Sequence, residues 1–163
     1  MTPSYESIAD LALPVQQRAI ATANSEGENR LLLPLLRWLV DSRRINADSR
    51  IAFELPWLGR RVDLATLTST RRAAAYELKL GSLGRALEQA TYNRLAFDRS
   101  YVVTSSMPRP ENLELAAEHG IGLILVRDRL VRLILESPQL PPAPELRPRL
   151  LSKLTSLRVI SGV

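Results

Sequence analysis

Asp63 and the tripeptide Glu77-Leu78-Lys79 are the residues of this chain whose types and spacing suit chemistry best. Each falls in a stretch that reads as β-strand, Arg61 to Leu67 for the first and Ala73 to Leu80 for the second. Side chains alternate across a strand, so Glu77 and Lys79 point to one face and Leu78 to the other. Two acids and an amine gathered in the middle of a sheet lose hydration, a cost that needs compensation. A divalent cation with its bound water and a phosphate would supply it.

The flanking sequence predicts the elements that carry these residues. Tyr5 to Thr22 reads as a helix bent at Pro14. A second helix starts near Asn24-Ser25, carries Leu31, Leu32, Leu35, Leu36 and Leu39 on one face, and should kink at Pro34. Ile51 to Leu55 is a strand that turns through Pro56-Trp57-Leu58-Gly59, and Thr68 to Arg71 joins the two motif strands. Gly81-Ser82 stops the strand and caps a helix running to about Asp98. A buried strand (Tyr101 to Thr104), a helix (Pro110 to Glu118), another buried strand (Gly122 to Val126) and an edge strand (Leu130 to Leu135, Arg132 outward) follow. A meander followed by strand–helix–strand crossover predicts an α/β fold, a mixed central β-sheet flanked by helices. Three regions result: an N-terminal helical extension (1–23), the main domain (24–136), and a proline-rich linker with a basic C-terminal tail (137–163), in which Leu150 to Leu157 form a short helix.

With 163 residues, 45% of them hydrophobic, the chain can build one domain with a real core. No apolar run approaches the roughly 20 residues of a membrane span. The N-terminus lacks the pattern of a secretory signal, which makes a cytoplasmic location the expectation. There is no cysteine and only one histidine, His119, so zinc and thiolate centres are excluded and any metal is a hard ion such as Mg2+ or Mn2+. The net charge is +5, with arginine doublets at Arg43-Arg44, Arg60-Arg61 and Arg71-Arg72. Guanidinium suits bidentate phosphate contact, which makes a polyanion a candidate partner and Arg61 a candidate contact. Solubility alone also accounts for an arginine-rich surface.

Glu28 heads the apolar stripe of the second helix, since Leu31, Leu32, Leu35 and Leu36 follow at +3, +4, +7 and +8. A capping box closing on Ser25 is the competing role for it. Downstream of Lys79, Arg85, Gln89 and Tyr92 share one helix face. Asp63, Glu77 and Lys79 also admit a plainer role as a solvated cross-strand salt-bridge set. Trp57, on a turn, is either tucked in or an exposed stacking surface. His119 before Gly120 suits a helix end rather than catalysis.

These elements in this order, with Asp63 and Glu77-Leu78-Lys79 on consecutive strands, resemble the restriction-endonuclease-like PD-(D/E)XK nuclease superfamily over roughly residues 24 to 135. Val62 stands where the family name has proline. The resemblance implies an αβββαβαβ core and a metal-dependent phosphodiesterase acting on DNA, or on RNA, in repair, recombination or defence. It implies a Mg2+ or Mn2+ ion held by Asp63, Glu77 and the Leu78 carbonyl, joined by Glu28 from the first helix. Lys79 would orient or deprotonate the attacking water and stabilise the developing charge. Gln89 and Tyr92 are similar to the Q-x-x-x-Y element of RecB-like nucleases, one residue short; Gln89 would hold the Lys79 amine or a phosphate, and Arg85 would touch phosphate. A homodimer or a subunit of a larger nucleic-acid complex fits a short nuclease. A catalytically silent module that binds nucleic acid or protein is the alternative, and an assembly protein with no nucleic-acid role is the third.

Overall fold

Two left-handed residues at Leu58 (φ 48°) and Gly59 (φ 75°) close a two-residue hairpin that pairs Trp57 with Arg60. Both positions of such a turn need positive φ, which glycine accepts without strain. The computed structural model describes residues 8–156. The hairpin begins a six-stranded sheet whose spatial order follows the chain: β1 (Arg50–Trp57), β2 (Arg60–Leu67), β3 (Ala73–Lys79), β4 (Arg99–Thr104), β5 (Gly122–Arg127) and β6 (Leu130–Leu135). The first three strands form an antiparallel meander, β3–β4 and β4–β5 are parallel, and β6 returns antiparallel at the edge. The two parallel steps are bridged by α3 (Gly84–Asn93) and α4 (Pro110–His119), as parallel neighbours require a crossover. This is the mixed α/β sheet that the sequence predicts.

Helices cover both faces. On one, α1 (Leu13–Thr22) and α2 (Leu32–Asp41) pack Leu32, Leu35, Leu36 and Leu39 over Phe53, Leu64, Tyr76 and Tyr101. On the other, α3 and α4 lie on Val102 and Leu123, while α5 (Arg147–Ser156) sets Leu150 and Leu154 against Leu55, Val62, Ala75 and Phe97.

The β1–β2 ladder contains one irregular rung. Its register passes from Phe53↔Leu64 to Leu55↔Val62 without a Glu54–Asp63 pair, and Glu54 has φ 49°. Across that rung the strands exchange faces. Phe53 and Leu64 join the α1–α2 core, yet Leu55 and Val62, two residues further along each strand, join the α5 core. Local distortions of this kind re-aim side chains.

Several helix boundaries differ from the sequence reading. Helix α1 starts only at Leu13, with Pro14 in its first turn, where the missing amide hydrogen has no intrahelical partner to lose. Tyr5, Glu6 and Ser7 of the expected helix lie outside the described residues. The second helix opens as a 3-10 turn, Glu28–Leu31, before α2. Pro34 therefore occupies the first turn of α2, a position that tolerates proline, rather than the interior of a longer helix. Ser82 makes no cap: Leu83 precedes α3, and no side chain bonds its first amides. Helix α3 ends at Asn93 instead of Asp98 because Ala96 and Phe97 turn inward to fill the core, and Asp98 returns to bond the Ala73 amide at 2.8 Å.

The proline-rich segment after β6 has no regular structure but is pinned. Ser137 Oγ donates to the Gly120 carbonyl and accepts from the Ser100 amide, and the amides of Leu140 and Ala143 donate to the Asp98 and Leu95 carbonyls. A Cβ at Gly122 would come within 2.8 Å of the Ser137 amide nitrogen, so this crossing needs glycine. The last segment, read as a basic tail, is α5, with Leu150 and Leu154 almost fully buried; Leu157 lies outside the described residues.

Candidate active site

The site forms where β2 and β3 part. Their ladder ends at the pair Leu64↔Tyr76. The next rung would set Asp63 opposite Glu77, which puts the two side chains on one face. In place of a backbone partner, the Leu78 amide donates to Asp63 Oδ2 at 2.8 Å. In a strand the carbonyl of a residue points to the same side as its amide, so the Leu78 carbonyl faces this opening too. Glu77 is buried, at 2% exposure, and Asp63 is half-buried. Asn93, also buried, donates Nδ2 to Glu77 Oε1 at 2.8 Å from the last turn of α3.

Lys79 ends β3, two residues beyond Glu77, and its Nζ stands 3.3 Å from Glu28 Oε1 in the 3-10 turn. Ser25 Oγ accepts from the Gly27 amide, and its own amide donates to Thr22, so the Glu28 carboxylate closes on Lys79 rather than on a capping box. Glu54, at the irregular rung opposite Asp63, is held by Arg18 at 3.0 Å. Four acids from four elements thus border one lysine and one arginine at this end of the sheet.

Burial is the main influence on the acid pair. It drives the Glu77 carboxyl up to about 8, reinforced by the charge of Asp63 and opposed by the Asn93 hydrogen bond. Asp63 is also raised by burial, against the pull of the Leu78 amide, with Glu28 and Glu54 adding repulsion. The two carboxyl groups are in hydrogen-bonding contact. Two ionised carboxylates this close repel, so the pair takes up a shared proton or a cation. A hard divalent ion suits that donor chemistry: carboxylate oxygens, a carbonyl oxygen and no nitrogen or sulfur. Among the described residues no group of three or more His, Cys, Asp or Glu side chains is spaced to hold one ion, so the acidic core of the site is the Asp63–Glu77 pair.

Of the residues singled out in the sequence, Glu28, Asp63, Glu77, Leu78 and Lys79 come together. Gln89 is half-buried one turn before Asn93, and it is Asn93 that bonds an acid of the site, Glu77. Arg85 and Arg61 are exposed. Tyr92 is half-exposed and carries the Arg60 guanidinium 3.7 Å over its ring, a cation–π contact that ties the start of β2 to α3. Trp57 is tucked into the α5 core, with its indole nitrogen unbonded. His119 ends α4 ahead of Gly120, which takes the left-handed cap (φ 70°).

Sequence reasoning missed Asn93, Glu54 and Arg18. Asn93 was within reach, since Arg85, Gln89 and Asn93 recur at intervals of four along one helix face. Glu54 and Arg18 had no such signal, because the distorted rung that brings Glu54 beside Asp63 leaves no local pattern.

Fold and site together define a mixed-sheet α/β protein with a carboxyl pair, one member buried and one half-buried, and a lysine at the point where two central strands diverge. No family model and no curated protein matches the chain. Among solved structures it is similar to SPO1766, a protein of unknown function from Silicibacter pomeroyi, with a TM-score of 0.50, 21% identity, and coverage of 67% of this chain and 73% of that one. At that identity the likeness is one of fold. No helix among the described residues is long and apolar enough to cross a membrane.

Proposed function

We propose that this chain is a metal-dependent phosphodiesterase of the restriction-endonuclease-like PD-(D/E)XK type, acting on DNA or RNA in the cytoplasm. The observation that carries this reading is the Asp63–Glu77 pair: two acids just past the last β2–β3 pair, one of them buried and driven to about 8, with Lys79 two residues further on. A structural ion pair has no need of a second buried carboxyl beside the first, since like charges only add to the cost of burial.

Asp63 and Glu77, with the Leu78 carbonyl, would hold Mg2+ or Mn2+. When bound, the ion neutralises phosphate charge and makes a water nucleophilic near neutral pH. The chain's own residues prepare the reaction. Asn93 fixes the Glu77 carboxylate by one oxygen, and the Leu78 amide fixes Asp63 by one oxygen. Lys79, steered by Glu28, presents an ammonium group that attracts a phosphate oxygen or orients a water, stabilising charge that develops in the transition state. Arg61 and Arg85, both exposed, and the Arg60–Tyr92 pair provide cationic and aromatic contacts along β2 and α3 for a polynucleotide backbone.

The net charge of +5 also supports a second reading, a nuclease fold retained as a nucleic-acid-binding module without catalysis. One experiment separates the two. The purified protein is incubated with plasmid and single-stranded DNA and RNA in Mg2+ or Mn2+, beside Asp63→Asn and Lys79→Ala proteins of unchanged circular dichroism. Cleavage lost in both variants supports the enzyme. Salt-sensitive binding without cleavage under either metal supports the module, and cleavage that persists in both variants rejects the assigned centre.

A further inference from the structure

At the opposite end of β3 lies a cavity of about 350 Å3, large enough for a small organic ligand. Ala74 and Lys79 are five residues of strand apart, roughly 16 Å at the usual rise. The cavity forms past the end of α2, beside Ser42 and Arg44. Its floor is Ala74, Thr66 and the stacked rings of Tyr76 and Tyr101, whose centroids are 5.0 Å apart. Its walls carry three guanidinium groups, from Arg44, Arg72 and Arg99.

The charges around this cavity do not balance. Glu136 serves two arginines at once, Arg44 at 2.7 Å and Arg99 at 3.2 Å, and also accepts from the Tyr101 hydroxyl. Asp98 is taken by Arg147 at 2.5 Å, leaving Arg72 at 4.0 Å from it. Four guanidiniums therefore share two carboxylates, an excess of two positive charges beside a largely buried floor. A phosphate monoester carries close to two negative charges at neutral pH, and guanidinium binds phosphate oxygens in a bidentate fork. Arg44 lies over the Tyr101 ring, 5.9 Å from its centroid, and over Trp38 at 4.9 Å, which orients its fork.

We propose that this cavity binds a phosphate monoester of about mononucleotide size, its phosphate on Arg72 and Arg99 and its organic part beside Ala74. The ligand is either a free mononucleotide or the 5′-phosphate end of a strand. The pocket stands apart from the carboxyl pair and does not depend on catalysis there.

Calorimetric titration of the intact chain tests this, with AMP, ribose 5-phosphate, adenosine, and a dinucleotide bearing either a 5′-phosphate or a 5′-hydroxyl. AMP and ribose 5-phosphate should bind and adenosine should not. Binding of the 5′-phosphorylated dinucleotide as tightly as AMP identifies a strand end, and failure of the dinucleotide alone identifies the free nucleotide. Arg72→Gln, at an exposed side chain that the fold tolerates, should weaken AMP about tenfold, the size of one lost charge-assisted hydrogen bond. Arg99→Gln should do the same, and Glu77→Gln should leave binding unchanged. No binding of AMP and ribose 5-phosphate at millimolar concentration overturns the assignment. So does AMP binding in both arginine variants as tight as in the unaltered chain, or loss of binding in Glu77→Gln.

Discussion

Asn93 Nδ2 donates to Glu77 Oε1 at 2.8 Å, with both side chains buried between α3 and the sheet. An amide cannot ionise, so this contact holds the carboxylate without adding charge, and it offsets part of the burial that drives Glu77 upward.

Removing that donor leaves a buried carboxyl oxygen unsatisfied. Asn93→Ala is expected to lower unfolding free energy by about 1–3 kcal/mol at pH 9, above the value of about 8 to which Glu77 is raised, measured by urea denaturation. The loss should shrink at pH 5, where Glu77 is protonated and needs the donor less. An equal loss at both pH values would show that Asn93 acts through packing alone.

Stability should fall as pH rises. Between the ordinary carboxyl value of 4.5 and about 8, the folded chain keeps a proton at Glu77 that the unfolded chain has released. Folding is therefore favoured below this window, and the advantage disappears as pH passes through it, with a slope of at most about 1.4 kcal/mol per pH unit. Thermal unfolding followed from pH 5 to pH 9 in EDTA should show the decline, and Glu77→Gln should flatten it. An identical slope in the variant would refute the assignment to this pair.

Catalysis, on the reading proposed above, should be lost by roughly 100-fold or more in Lys79→Ala and in Asp63→Asn, the range associated with removing a transition-state charge partner or an acid–base group. Glu28→Gln should cost less, because Glu28 acts through Lys79. Single-turnover cleavage rates for the three proteins give the order. A Glu28 variant as impaired as the Asp63 variant would assign Glu28 a direct part in the chemistry.

The C-terminal helix should behave as core. Leu150 is fully buried against the β1–β3 face, and Leu150→Ala is expected to cost about 2–4 kcal/mol in urea unfolding. Arg149→Ala, at an exposed position of the same helix, should change stability by less than about 0.5 kcal/mol, as surface substitutions usually do. Equal effects would mean that α5 is not docked in solution.

The sequence by itself determined the six strands, the order of strands and crossover helices, and the gathering of Asp63, Glu77 and Lys79. Period-two alternation, turn residues and apolar runs are local signals, and a meander followed by two crossovers has few ways to pack. Tertiary structure alone decided the details of the site. Whether Glu28 closes on Ser25 or reaches Lys79, whether Gln89 or Asn93 meets Glu77, and that Glu54 stands beside Asp63 depend on distances across the sheet. Those distances follow from the face exchange at the Glu54–Asp63 rung and from where α3 is forced to stop. The pocket of Arg44, Arg72 and Arg99 was equally hidden: its three arginines come from three separate segments, and only the folded chain brings their charges to one place.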